Sequence, residues 1–334
     1  MNLPARSPRR RRLGAPLALG LLGGLALLLR ALPLSVPPAP PPRPPEVVVR
    51  VVTFNLLHGG IFSERLGDDA SLEARLRIVA DRLRALDPDV VALQEASVGP
   101  RRGDVARRLA EALGYHHAYA PAVTRPFGSR RVQRAVASAL GFTEGPALLS
   151  RYPLARWAGY ELPRCGRPFD VRVLLYAEVA TPAGPLPVYS AHISGDPCQA
   201  RSVADLVAAR PGPLPAIVMG DFNAEETSPA IQLLPGPAGF RDTFRLANPG
   251  ASGFTEGQAV RARGRTAGQR IDYVFLRPGG RGPGRVVASR VVLDAPGPGS
   301  VLWPSDHYGV LAEIGVGPPA ATGRRTAARS PEGR

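Results

Sequence analysis

The sequence predicts a layered α/β fold, on three observations. From Glu46 onward, strand-type and helix-type patterns alternate along the chain, the signature of layered α/β domains. Several short apolar runs stop at a polar residue, as buried strands do when they reach a loop. At 334 residues and 44% hydrophobic content, the chain can bury a sizeable core.

Taken in order, VVVRVVTFNLL from residue 47 reads as a buried strand followed by a polar loop. Leu72, Leu76, Val79, Leu83 and Leu86 recur at helical spacing, and Asp87-Pro88 stops that helix. VVALQE is the next strand, followed by a helix near 104–113 and short strands near 115–120 and 146–149. Strands at 171–180 and 186–192 are joined by a turn at Pro182–Gly184. A helix is expected over 199–209 and a strand at AIVMG, 216–220. IDYVF, VVASRVVL and YGVLAEI supply the last strands, and the basic stretch 125–141 reads as a surface excursion.

The ends differ from this middle. Arg9–Arg12 precede an apolar or glycine run from Leu13 to Leu29, 17 residues that reach the lower limit for a membrane span. Residues 1–36 are therefore expected to be an uncleaved anchor or a signal peptide; an arginine pair ahead of the run also permits twin-arginine export. Either way the basic flank stays in the cytoplasm. The rest of the chain then lies outside, membrane-anchored or secreted. Residues 37–45, PPAPPPRPP, are expected to form an extended linker, 46–315 the main folded domain and 316–334 a disordered tail.

The net charge of +15 does not by itself indicate nucleic acid. All 42 basic residues are arginine, and the excess lies mainly at the two ends, leaving 46–315 at only +5. The two cysteines, Cys165 and Cys198, are either a disulfide in an exported protein or two free thiols.

Chemistry-bearing residues cluster at predicted strand ends, where loops converge on a rigid scaffold. Asn55 ends the first strand, Glu95 the second, and His192 follows PVYSA. Asp221 and Asn223 follow AIVMG, Asp272 opens a strand, and Asp306-His307 precede the last one. Glu95, Asp306 and Asn55 are hard oxygen donors suited to Mg²⁺, with Mn²⁺ or Ca²⁺ as alternatives, rather than to zinc. His307 is a candidate base with Asp272 to fix its tautomer, and His192 a donor to a phosphoryl oxygen. Asp221 and Asn223 can orient a water or a phosphate. Each has an ordinary structural explanation alone: a Gln-Glu at a strand boundary, a satisfied histidine, an Asx turn at Asp-Phe-Asn. His116 and His117 read as structural, and His58 follows Asn55 closely enough to line the site.

The ordered set is more specific than its members. TFNLL (53–57), LQE (93–95), LLSRYPL (148–154), SAH (190–192), MGDFN (219–223), RIDYVF (270–275) and SDHYGV (305–310) resemble the endonuclease/exonuclease/phosphatase superfamily, in its order and approximate spacing. The resemblance implies a four-layer α/β sandwich, two packed β-sheets flanked by helices, of the DNase I-like kind. It implies Glu95 as the main metal ligand, assisted by Asn55 and Asp306, and His307 paired with Asp272 as the base. It also implies Glu144 as a support for His192, and Arg172, Asn223 and His192 as phosphate contacts. Ala96-Ser97 stand where DNase-like nucleases carry an arginine that grips DNA, and the tyrosine of the abasic endonucleases is not evident. Extra inositol-phosphatase motifs are missing too, so the resemblance leans to the DNase I-like and sphingomyelinase-like branches. The expected substrate is a phosphodiester, phospholipid or nucleic acid, with phosphomonoesters and an inert binding relative as further readings. The expected membrane contact is the N-terminal segment, and no obligate protein partner is inferred.

Overall fold

The computed structural model describes residues 46–57, 71–100, 102–122, 143–167, 170–236 and 238–317. The N-terminal apolar run, the proline-rich linker, His58, the basic stretch 125–141 and the tail from 318 lie outside the described residues. All described residues belong to one compact unit.

Two mixed sheets form the centre. The first is ordered β12-β13-β1-β2-β5-β4: β12 is Arg285–Val292, β13 Gly309–Val316, β1 Val47–Asn55, β2 Val90–Gly99, β5 Thr143–Ser150 and β4 His116–Tyr119. A two-residue β3, Gly103–Asp104, adds to β2. The second sheet is ordered β10-β11-β9-β8-β7-β6: β10 is Arg241–Asp242, β11 Asp272–Arg277, β9 Ala216–Asp221, β8 Gly184–His192, β7 Val173–Thr181 and β6 Leu154–Glu161. Helices α1 (Leu72–Leu86) and α2 (Val105–Leu113) cover the first sheet, and α3 (Pro197–Ala208) and α4 (Pro229–Gln232) the second. The short α5, Thr243–Ala247, follows β10.

Burial explains the layers. Val49, Val51, Ala92 and Leu148 from the first sheet meet Leu175, Val188, Ile217 and Val274 from the second in a core without solvent access. Alternate residues on the same strands, such as Val52, Phe54 and Leu93, turn outward against Leu76, Val79 and Leu83 of α1. Strands buried on both faces read as continuous apolar runs, which is why β1, β2 and β9 were visible in the sequence. The helix at 72–86 ends as expected: Asp87 takes a left-handed φ of 49° and its N–H bonds back to Leu83.

Some elements depart from expectation. Strand β6 was not predicted, and β5 begins three residues earlier than the apolar pattern suggested. Cys165 and Cys198 form a disulfide, tying the loop after β6 to the first turn of α3. Among the described residues, no helix is long and apolar enough to cross a membrane.

Each sheet contains one parallel pair, β1 with β2 and β8 with β9, and their carboxyl ends emerge at one end of the sandwich. That end collects the strand-end residues expected to be functional.

Candidate active site

Register alone places three acidic or imidazole groups side by side. His192 closes β8 opposite Asp221 of β9, and Asp221 lies opposite Asp272, the first residue of antiparallel β11. Gly220 permits this approach, because a Cβ there would stand 2.0 Å from the Ala191 carbonyl oxygen.

Asp221 is fully buried and is the hub. Its Oδ1 accepts from the backbone N–H of Asn223 (2.8 Å), an Asx turn, leaving Oδ2 facing the cleft. Oδ2 accepts from Asn55 Nδ2 at 3.0 Å and lies 3.5 Å from His192 Nε2 and 3.9 Å from His307 Nε2. Burial pushes this carboxyl up to about 7, with Asp272 adding to the rise and His307 opposing it.

His307 Nδ1 is 2.9 Å from Asp272 Oδ2. Burial disfavours the imidazolium, but the charge and hydrogen bond of Asp272, joined by Asp221 and Asp306, hold His307 well above its ordinary value. Asp272 is itself fixed by Thr255, whose Oγ1 accepts from the N–H groups of Ile271 and Asp272 at 3.2 Å each.

On the opposite sheet, Asn55 Nδ2 also donates to Glu95 Oε1 at 3.2 Å. One amide thus links the Glu95 and Asp221 carboxylates across the cleft. The Asn55 Oδ1 accepts from Leu57 N–H at 3.0 Å, so the amide nitrogen faces the carboxylates; ligation through oxygen requires the amide to turn. Glu95 has φ 55° within a β-bulge, a conformation that a glutamate adopts only where its surroundings impose it. Asp306 lies between Ser305, which donates to its Oδ1, and His307.

The residues expected to contact phosphate form a second cluster. Arg172, just before β7, places Nη1 2.9 Å from His192 Nε2. A guanidinium only donates, so Nε2 accepts and the ring is neutral with its proton on Nδ1. Arg172 Nε donates to Asp170 Oδ1 (2.9 Å) and Ser194 Oγ (2.8 Å). Asn223, with φ 48°, donates from Nδ2 to the Ile193 carbonyl at 2.8 Å. Glu144 sits at the site end of β5, in register with Ser97.

Sequence reading passed over several contributors. Arg75 lies on the buried face of α1, where its guanidinium donates to the carbonyls of Leu56 (2.7 Å), Leu57 (2.9 Å) and Pro304 (3.2 Å). It ties the end of β1 to the segment bearing Asp306 and His307. Its signal was a charge at an apolar position of the helical repeat. Glu256 pairs by backbone with His307 and Gln269. Burial pushes its carboxyl up; His307 pulls against this, and Asp306 and Asp272 add to it.

The donor chemistry fits a hard divalent cation. Carboxylates outnumber cations here, and the fully buried Asp272 Oδ1 has no hydrogen-bond partner among the described residues. Atoms of Asp221, Asp272 and His307 also lie within 4.8 Å of one another. Added positive charge would offset the burial and the Asp272 repulsion that raise Asp221.

The model of the Endonuclease/Exonuclease/phosphatase family matches residues 52–307, from β1 to His307. The chain belongs to the endonuclease/exonuclease/phosphatase family. Among solved structures, this family member is similar to the endonuclease/exonuclease/phosphatase from Beutenbergia cavernae DSM 12333, at 26% identity and TM-score 0.59, covering 81% of this chain and 72% of that one. An endonuclease/exonuclease/phosphatase family protein from Leptotrichia buccalis C-1013-b shares 18% identity at TM-score 0.59, covering 80% and 99%. Humanized D. rerio TDP2 shares 20% at TM-score 0.57, covering 80% and 98%. The last two show the fold alone. No curated protein matches the chain. The family fold, two sheets flanked by helices, is the one expected, and a metal-dependent phosphoesterase is consistent with it.

Proposed function

We propose that the protein hydrolyses phosphodiester bonds with a divalent metal ion. The observation that carries this reading is the placing of one buried carboxylate, Asp221, within 3.9 Å of two imidazoles and in hydrogen-bond contact with the amide that reaches Glu95. Glu95 and Asp306, with Asn55 if its amide turns, would hold Mg²⁺, Mn²⁺ or Ca²⁺, whose charge would neutralise phosphoryl oxygens.

The chain's own groups divide the rest of the work. His307, with Nδ1–H directed at Asp272, presents Nε2 to take a proton from the attacking water. Asp221 accepts a hydrogen bond from that water and fixes its line of attack. Arg172 and Asn223 bind the phosphoryl group, and His192 donates to it once Arg172 transfers from the imidazole to the phosphate and the freed Nε2 takes up a proton from solvent.

The substrate we favour is a phospholipid, as in sphingomyelinase-like enzymes, acted on outside the cytoplasm. Its support is the apolar run at 13–29 and the near-neutral middle of the chain. A second reading, a nucleic-acid diester, draws on a loop beside His307 that exposes Arg261, Arg263 and Arg265. The test is hydrolysis of bis(p-nitrophenyl) phosphate by the full chain, with Mg²⁺ and with chelator, beside His307→Ala and Asp221→Ala. Activity is expected with Mg²⁺ only, and lost in both variants; activity that persists in chelator or survives both substitutions overturns the mechanism. Sphingomyelin vesicles, plasmid DNA and RNA then separate the substrate readings.

A further inference from the structure

The site draws its groups from both sheets, so its cleft width depends on how the sheets are held apart. Asn55 and Glu95 come from the first sheet, His192, Asp221 and Asp272 from the second. The core between them is built of Val, Leu, Ile, Ala and Met. Fully buried polar side chains interrupt it at Thr53, Gln94 and Ser190.

These three form one chain of hydrogen bonds across the gap. Thr53 Oγ1 donates to Gln94 Oε1 at 3.3 Å, and Gln94 Nε2 donates to Ser190 Oγ at 3.2 Å. Ser190 Oγ in turn donates to the Leu93 carbonyl at 3.1 Å. Because the serine proton is used there, Oγ must accept from the amide nitrogen, which fixes the orientation of Gln94.

Position gives the bridge its meaning. Thr53 lies two residues before Asn55 on β1, and Ser190 two before His192 on β8, so the bridge runs about 7 Å beneath the site. Gln94 adjoins Glu95, and strand alternation would send the two to opposite faces. The register shift between Leu93 and Ala96, with Glu95 at φ 55°, lets both work on the cleft side: Gln94 reaches Ser190 and Glu95 reaches Asn55. The serine also satisfies the carbonyl just before the bulge, so the distortion that aims Glu95 is pinned from the facing sheet. Replacing a buried hydrogen-bonded pair by apolar groups of the same shape can be neutral or stabilising, so stability alone does not account for the Gln94–Ser190 pair.

We propose that Gln94 is a positioning residue: through Ser190 it sets the spacing between Glu95 and the His192–Asp221 pair. The proposal rests on the metal-dependent phosphodiesterase reading only for its kinetic and Mn²⁺ readouts. The experiment compares Gln94→Leu and Ser190→Ala with the native full chain. It follows Mn²⁺ affinity, kcat and KM for bis(p-nitrophenyl) phosphate at saturating Mn²⁺, the melting temperature, and the His192 imidazole shift by NMR without metal. Gln94→Leu is expected to lower kcat about 10–100-fold with little change in KM, to weaken Mn²⁺ about tenfold, and to move the His192 signal. Val179→Ala, in the same core at the far end of β7, is the control: it should lower the melting temperature and leave kcat and Mn²⁺ affinity intact. If Gln94→Leu does not fold, Ser190→Ala, which cuts the same bridge, carries the comparison. A folded bridge variant with native kcat, Mn²⁺ affinity and His192 shift overturns the proposal, as does a Val179→Ala variant that loses kcat equally. A native chain that neither binds Mn²⁺ nor hydrolyses the diester overturns the proposed function instead, and the His192 shift then decides on the bridge.

Discussion

His307 Nδ1 lies 2.9 Å from Asp272 Oδ2, and the pair joins the two sheets, since His307 leads into β13 and Asp272 opens β11. Both side chains are buried, so the contact is poorly screened, and it commits the imidazole to one tautomer. With the proton on Nδ1, Nε2 is the atom turned toward Asp221 and the cleft. Asp272→Asn preserves the shape and offers the imidazole an amide N–H, which favours the opposite tautomer and removes the free base at Nε2. We expect kcat to fall about 10²–10⁴-fold with KM nearly constant. A variant within threefold of native kcat would show that the pair is structural only.

The raised Asp221 carboxyl makes the ion-free protein sensitive to pH. Its folded value, about 7, stands above an unfolded value of about 3.9. The folded state therefore holds a proton that the unfolded state has lost, and stability falls as pH rises between those limits. Asp221→Asn cannot ionise. In chelator its melting temperature should exceed the native one by a margin that grows from pH 4 to 7 and then levels, while hydrolysis is lost. A margin that shrinks over that range contradicts the electrostatic reading. His307 acts in the same direction at higher pH: its contribution is full below about 6.5 and is lost as pH rises through its raised folded value.

How much of this was legible beforehand follows from where each residue sits. Helix α1 was readable to the residue because Leu72, Leu76, Val79 and Leu83 face the core and Asp87-Pro88 ends the repeat. The site's strand-end residues were visible because an apolar run stopping at a charge is a pattern in one dimension. Strand β6 was not, since as the edge of its sheet it leaves most of its side chains exposed and breaks the alternation. Gln94 and Arg75 were missed for a related reason. Their partners are 96 and 229 residues away, at Ser190 and Pro304, and only the packed sheets bring them together. The direction of the Asn55 amide depends on Leu57 and Asp221 at once, which no local motif encodes.

Metal binding should report on the same carboxylates. A cation near Glu95 and Asp306 lowers the proton affinity of Asp221 and His307, so binding must release protons. Titrating Mg²⁺ calorimetrically in buffers of different ionisation enthalpy measures that number, and we expect a net release near pH 7. The ion should also raise the melting temperature more at pH 8 than at pH 6, corresponding to about 2.7 kcal/mol at a hundredfold excess over Kd. Glu95→Gln should abolish both effects. Proton uptake on binding, or an unchanged response in that variant, would place the ion elsewhere.

The Cys165–Cys198 disulfide stands behind the Arg172–His192 cluster, the proposed phosphate contacts. It joins the loop after β6 to α3, and Gln199, the next residue, donates to the Pro163 carbonyl at 3.1 Å while accepting from Ser194 N–H at 2.8 Å. Ser194 in turn accepts from Arg172, so the crosslink supports the guanidinium that reaches His192. Closing a loop across 33 residues is worth about 2–4 kcal/mol through the unfolded chain. Replacing both cysteines by serine should remove about that much stability in urea unfolding. Loosening Arg172 should raise KM for the diester several-fold and change kcat little. Arg172→Ala tests the link: if the disulfide acts through Arg172, the KM effects of the two changes will not add, because the second removes a contact the first has already weakened. Fully additive effects would show that the disulfide stabilises the fold without organising the phosphate site.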